Sequence, residues 1–424
     1  MQVASFEFGT SEFNRLISTC NLQLANQQHS FSTRIPVSLD DNPLARAVSA
    51  RRAAGLPVLD LTLSNPTQAA FHYPAQEIAA ALAAGATAPY APEPRGLLSA
   101  REAIAEYYRG RGPDPVDSAR LQLTASTSEA YGFLFKLLGD PGAEVLAPSP
   151  SYPLIEHLAA LEGWKARAYP LHFQENAWHI DHAALAAAVT PATRAIALIH
   201  PHNPTGKTIR NTDAHALLDL CAERGVALIA DEVFLDYPAP GHETLAQSFA
   251  AHQVTALTFA LGGISKSCAM PQLKLAWIHV GGPAKLVEQA QVRLDFITDS
   301  YLSVATPVSA ALPQLLKIGV GLRAQIQARL AENSAVLAAL AWPDGFAILP
   351  REAGWCALLR RPLAPDEESL ARQLLDRAGV LAHPGYFFDF DPAGPGYHVL
   401  SLLPEPKEFR AAVNLLREWL PKLV

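Results

Sequence analysis

In Ala260-Leu261-Gly262-Gly263-Ile264-Ser265-Lys266 an apolar run ends in a glycine pair and a Ser-Lys dipeptide. A lysine held there and partly desolvated has a lowered pKa, and its neutral amine can form a Schiff base with an aldehyde. Taken alone, the same lysine reads first as a solvated loop residue. Ile229-Ala230-Asp231-Glu232-Val233-Phe234 places an aspartate directly after another apolar run. An uncompensated carboxylate is costly there, so a cationic partner is expected, and a protonated pyridine nitrogen is one. His200-Pro201-His202-Asn203-Pro204-Thr205-Gly206 closes a third run. The Asn203 amide can reach a ring oxygen, although Asn-Pro-Thr-Gly also reads as a plain turn. Thr124 to Ala130 opens a helix with Ser126, Thr127 and Ser128 in a row. Hydroxyls and free amides at a positive helix end suit a phosphate, and an ordinary N-cap explains the segment equally well. Tyr152, in Pro148-Ser149-Pro150-Ser151-Tyr152-Pro153, offers an aromatic face to a flat ring, with core packing as the alternative.

Most of these segments follow short apolar runs, and those runs must do the positioning. Val145 to Ala147, Ala195 to Ile199, Val226 to Ala230, Val254 to Ala260 and Leu275 to Val280 are each too short for a core helix and alternate with helical stretches. That alternation predicts a parallel sheet covered by helices, with ligands at the carboxyl ends of its strands. After Pro307 the texture changes to a mix of helical and strand-like stretches, which predicts a second, α+β domain. The expected organisation is an N-terminal extension over residues 1–33, loosely attached and flexible, and a segment over 34–88 that joins the small domain. A large domain over 89–306 and a small one over 307–424 complete it.

The 424 residues are 50 % hydrophobic and 17 % charged, which excludes disorder and favours extensive burial, subunit contact included. Thirty-three Lys plus Arg against 40 Asp plus Glu leave a charge of −7 with no basic block, so nucleic acid is not an expected partner. Cys20, Cys221, Cys268 and Cys356 lie too far apart for a zinc or CxxC site, and no metal is expected. A reducing cytoplasm is the expected location. The charge-free stretch from Ser300 to Leu316 carries Pro307 and Pro313, so no membrane span is expected.

In their order and spacing the five motifs resemble the pyridoxal-phosphate-dependent enzymes of fold type I, specifically the class I/II aminotransferase family, from about Pro36 to Leu420. The resemblance implies an α/β fold with a mainly parallel central sheet sandwiched by helices. It implies pyridoxal 5'-phosphate as cofactor, with Lys266 as the Schiff-base lysine and Asp231 paired with the pyridine nitrogen. Asn203 would contact the phenolic oxygen, Tyr152 would stack on the ring, and Ser126, Thr127, Ser128 and Ser265 would hold the phosphate. Tyr90, in Tyr90-Ala91-Pro92-Glu93-Pro94-Arg95-Gly96, matches the family's tyrosine that reaches the neighbouring subunit's phosphate site, which implies a homodimer with shared active sites. Asn65, in Ser64-Asn65-Pro66-Thr67, lies where the family's N-terminal segment passes over the substrate. The implied activity moves an amino group between an amino donor and a 2-oxo acid by a ping-pong mechanism.

Three positions depart from the family pattern. Lys274 stands for a phosphate-binding arginine, which replaces a bidentate fork with a point charge. Phe234 stands for a tyrosine that bonds the ring oxygen, leaving more of that task to Asn203. Val399, in Tyr397-His398-Val399-Leu400-Ser401, stands for the arginine that clamps the substrate α-carboxylate. Another cation, Arg95, Arg351 or Arg360, would then take that role, or the substrate lacks an ordinary α-carboxylate. A pyridoxal-phosphate lyase acting on a carbon-sulfur bond is the alternative activity.

Overall fold

The computed structural model describes residues 32–36, 42–243, 247–363 and 366–424. The expected extension over 1–33 therefore lies almost wholly outside the described residues. The described chain leads through helix α1 (Pro43–Ala53) and strand β1 (Leu59–Asp60) into an eight-stranded sheet. Its strands are β2 (Leu121–Thr124), β3 (Glu144–Ser149), β4 (Lys165–Gln174), β5 (Ala177–Ile180), β6 (Thr193–Ile199), β7 (Ala227–Asp231), β8 (Thr258–Gly263) and β9 (Ala276–Gly281), in the order β2-β9-β8-β7-β6-β3-β4-β5. The run β8-β7-β6-β3-β4 is parallel, while β9 is antiparallel to both its neighbours and β5 is antiparallel to β4.

Alternation along each strand divides the core into two layers. Ala195, Ala197 and Ile199 of β6 and Ala227 and Ile229 of β7 face helices α2 (Thr127–Leu138) and α3 (Ala284–Tyr301), against Tyr131, Leu134 and Leu294. Ile196, Leu198, Leu228 and Ala230 face the opposite layer, which holds Leu217, Leu218 and Cys221. Strands buried on both faces read as continuous apolar runs, which is why β3, β6, β7 and β9 fall where the sequence places them.

The run from Val254 to Ala260 is misplaced: the strand begins at Thr258 and includes the glycine pair. Gly262 pairs with Trp277 and Gly263 with Ala276, and a Cβ on Gly262 would lie 2.6 Å from the Trp277 indole. The glycines are there because β9 packs too close for a side chain, so they are strand and not turn. The short link over 264–275 also carries no helical crossover, which returns β9 antiparallel.

The rest of the chain builds helix α4 (Thr306–Ala338), β10 (Ala347–Ile348), β11 (Cys356–Arg361), helix α5 (Glu367–Ala378), β12 (Val380–Leu381), β13 (His383–Pro384), β14 (Gly396–Ser401) and helix α6 (Pro406–Trp419). β10, β11, β14 and β13 form an antiparallel sheet in that order. β1 pairs in parallel with β12, and Leu44 and Val48 of α1 pack on Ala371 and Leu375 of α5. Among the described residues no helix is long and apolar enough to cross a membrane.

Candidate active site

Register brings three strand ends level: Ile199 pairs with Asp231, and Asp231 with Leu261. The chain therefore leaves β6 into the Asn203 loop, β7 at Asp231 and β8 into the turn Ile264–Ser267 at one edge of the sheet, the carboxyl edge where α/β ligands bind. The Lys266 Nζ lies 3.4 Å from the Ser64 carbonyl oxygen. It also stands 4.6 Å from the centre of the Trp355 ring and 5.6 Å from that of Phe234. Burial lowers its pKa to about 8, against the opposing pull of Cys356 and Asp231. The turn that carries it is pinned at its carbonyls: Tyr237 Oη donates to Lys266 O (2.5 Å), Arg323 Nη1 to Ser267 O (2.7 Å) and Tyr73 Oη to Ala269 O (2.6 Å).

Asp231 continues the face of Ala227 and Ile229 toward α2 and Tyr131. Burial raises its pKa to about 6, opposed by a hydrogen bond from Val233 N (3.2 Å) and by the Tyr131 hydroxyl and the Lys266 charge. The phenol of Tyr131 is pushed well above its usual pKa by burial and then by the same carboxylate. Phe234 and Tyr237, on the segment after Asp231, both pack edge-on against Trp355. That segment is braced by Asp236, which accepts from Arg111 and from Tyr107 Oη (2.7 Å).

Ser126 caps α2 by accepting from Glu129 N (3.1 Å), while Glu129 Oε2 accepts from Ala125 N (2.7 Å). Thr127 and Ser128 open the helix, where first-turn amides have no intrahelical acceptor, so an anion finds backbone donors there. Ser265 is half-buried on the Lys266 turn, and Lys274 is exposed with a left-handed backbone (φ 51°). Asn65 Oδ1 accepts from Thr67 N (3.0 Å) and Thr67 Oγ1 (2.8 Å), which fixes the turn that presents Ser64 O to Lys266. Tyr152 lies 6.1 and 6.2 Å from the rings of Phe387 and Phe388. Tyr90 is 75 % exposed.

Arg95 is already engaged within the fold. Its Nε and Nη2 donate to Asp295 of α3 (2.8 and 2.7 Å) and its Nη1 to Ala119 O (2.9 Å), so the guanidinium is committed to joining two parts of the fold. Val399 is 1 % exposed and lies between Leu358 and His383 in the small sheet. Tyr131, Tyr237, Trp355 and Cys356 are the site residues that the sequence reading misses. Each reaches the site through a long-range contact, and no local motif announces it.

Buried polar atoms at this edge, Ser151 Oγ, His202 Nε2 and Trp355 Nε1, have no hydrogen-bond partner among the described residues. They belong to residues beside Tyr152, Asn203 and Lys266, and folded proteins rarely leave such groups unpaired. A buried carboxylate with no ion pair among the described residues, an amine of lowered pKa and an amide-rich helix end fit a planar cofactor with a cationic ring nitrogen, an aldehyde and a phosphate.

Comparison with known proteins accords with that fit. The family model "Aminotransferase class I and II" matches residues 57–410. The chain belongs to this family. An arginine–pyruvate transaminase of Pseudomonas aeruginosa is 29 % identical over 372 residues, 86 % of this chain and 90 % of that protein. A glutamate–pyruvate aminotransferase of Escherichia coli is 26 % identical over 65 % of this chain and 67 % of its own length. Among solved structures, an alanine aminotransferase from Pyrococcus furiosus superposes with a TM-score of 0.79 at 21 % identity, covering 89 % of this chain and 96 % of that one. An aspartate aminotransferase mutant from Thermus thermophilus gives 0.76 at 24 %, covering 92 % and 99 %. The fold is that of the fold type I aminotransferases, and the chain is an aminotransferase.

Within this aminotransferase, Gly206 tests how tightly the Asn203 loop is held. Its φ is +71°, and a Cβ would lie 2.6 Å from both Ala353 O and Arg351 Cγ. Gly206→Ala is expected to destabilise the protein by about 2 kcal/mol or more and to misplace Asn203. Denaturant unfolding measures the first effect; a variant as stable as the wild type would show that the loop yields.

Proposed function

We propose that the protein is a pyridoxal-phosphate-dependent aminotransferase that moves an amino group from an amino acid to a 2-oxo acid by a ping-pong cycle. The observation that carries this reading is Lys266, an amine of lowered pKa, at one sheet edge with Asp231, a buried carboxylate that forms no ion pair among the described residues. When bound, the cofactor supplies an aldehyde to carry the amino group and a ring that stores the electrons left when the substrate Cα–H bond breaks. Asp231 would keep the ring nitrogen protonated by giving it a counter-charge out of water. Asn203 would donate to the ring oxygen, and Phe234, which has no hydroxyl, would leave that task to it. The α2 amides with Ser126, Thr127, Ser128, Ser265 and Lys274 would hold the phosphate.

Lys266 would take the α-proton and return it at the neighbouring carbon, since its lowered pKa of about 8 makes the neutral amine available near neutral pH. Trp355 and Phe234 cover it, and the turn that Asn65 holds brings Ser64 O to within 3.4 Å of its Nζ. The exposed Tyr90, with exposed Val292, Phe296 and Tyr301 on α3, supports a homodimer that shares its active sites. The three described cysteines are unpaired, which supports a cytoplasmic location.

The test is spectroscopic. Purified protein loaded with pyridoxal phosphate is mixed with one amino donor at a time, and the visible band of the lysine-bound cofactor is followed. One donor is expected to discharge the band, and a 2-oxo acid to restore it. Continuous release of ammonia and a 2-oxo acid with no acceptor present would replace this reading with the lyase.

A further inference from the structure

We propose that Arg351 is the residue that binds the substrate carboxylate, in the place left empty by Val399; the inference rests on the aminotransferase reading above. Leu358 pairs with Val399 across β11 and β14, and Cys356 precedes Leu358 by two residues. Cross-strand partners and residues two apart share a face, so Cys356 looks out from the face on which Val399 stands. The Cys356 Sγ is 3.7 Å from Asn203 Oδ1, which ties that face to the cofactor loop. Burial pushes the Cys356 thiol up to about 11, and the cations that oppose it are Arg351 and Lys266. Cys356 thus lies against the same Asn203 loop on which the Arg351 side chain packs.

Arg351 reaches this place along the Asn203 loop, its Cγ against Gly206. The segment it starts is tied to that loop by Glu352 N and Ala353 N, which donate to Gly206 O (3.2 and 2.9 Å). Its own partners are neutral: Nη1 donates to Gly354 O (2.6 Å) and Nη2 to Ser334 Oγ (2.9 Å). Several other arginines are neutralised, Arg95 by Asp295, Arg111 and Arg323 by Asp236, and Arg361 by Glu367, while Arg329 donates to the Ala69 and Leu403 carbonyls and lies over the Phe71 ring, away from the Asn203 loop. A half-buried guanidinium with only neutral partners among the described residues keeps a desolvation cost that an arriving carboxylate offsets, and its pKa is accordingly lowered to about 10. A guanidinium has five N–H groups, so donors remain for a charge-assisted pair with a carboxylate.

The test uses the cofactor-loaded wild type, Arg351→Gln and Arg351→Lys. Propanoate, a carboxylate without an amino group, is titrated against the visible cofactor band, and KM and kcat are measured with the best donor from the panel above. Arg351→Gln is expected to weaken propanoate binding at least about tenfold and to raise KM about 100-fold with a smaller change in kcat. Arg351→Lys should recover part of both, which separates lost charge from lost packing. Propanoate affinity and KM within twofold of wild type in Arg351→Gln would overturn the proposal. The propanoate titration needs no turnover, so an enzyme that no donor discharges would defeat the aminotransferase reading while the titration still decides the role of Arg351.

Discussion

Lys266→Ala is expected to lower kcat by about 10⁴-fold or more, because one side chain carries both the covalent attachment and the proton transfer. The loss should be far larger than for any neighbour, since Trp355, Phe234 and Ser64 only surround the amine. Circular dichroism should show the variant folded: the turn is held through backbone carbonyls by Tyr237, Arg323 and Tyr73, none of which touches the lost amine. The wild-type pH dependence gives a second check. Burial lowers the Lys266 pKa to about 8, so the neutral amine grows as pH rises through that value. The rate at which cofactor-free protein captures pyridoxal phosphate should rise with pH and level off above about 8. A rise that continues toward the usual lysine value near 10.4 would place the amine in water and contradict the site as described.

Much of this site is legible in the sequence because it lies at the ends of doubly buried strands. Ile199, Asp231 and Leu261 are level across three of them, and the polar residues just beyond are those that an apolar run followed by a turn singles out. The edge strands are harder to read. β4 spans Lys165–Gln174 with exposed and buried positions mixed, and its pattern resembles neither a buried run nor a helix. The glycine pair misleads for a different reason, since its cause is the Trp277 indole on a strand that the local sequence does not reveal as a neighbour.

Arg95 and Arg351 make the same point for side chains. Both are arginines near motifs, and only the fold gives one Asp295 and leaves the other with neutral partners. Tyr131 is likewise an unremarked residue of a helix until the sheet sets it beside Asp231.

Asp231→Asn is the substitution whose two effects should run in opposite directions. In the loaded enzyme kcat should fall about 10²- to 10³-fold, the scale seen when one preorganised electrostatic partner is removed from a reaction centre. In the cofactor-free protein the same change should stabilise the fold. The Asp231 pKa is raised to about 6 from 3.8, so between those values the unfolded chain carries the charge and the folded chain does not. Stability is thus greatest at or below about pH 4, falls as pH rises toward 6 and carries the full cost above it. A shift of this size corresponds to about 3 kcal/mol at neutral pH, and asparagine removes the charge that causes it. Cofactor-free Asp231→Asn should melt above the wild type at pH 7 to 8, with the gap closing toward pH 4. Binding of pyridoxal phosphate, which brings the missing cation, should narrow or reverse that gap at pH 7. A cofactor-free variant that melts below the wild type at pH 8 would mean that Asp231 is already satisfied within the chain, and its assignment to the ring nitrogen would fall with it.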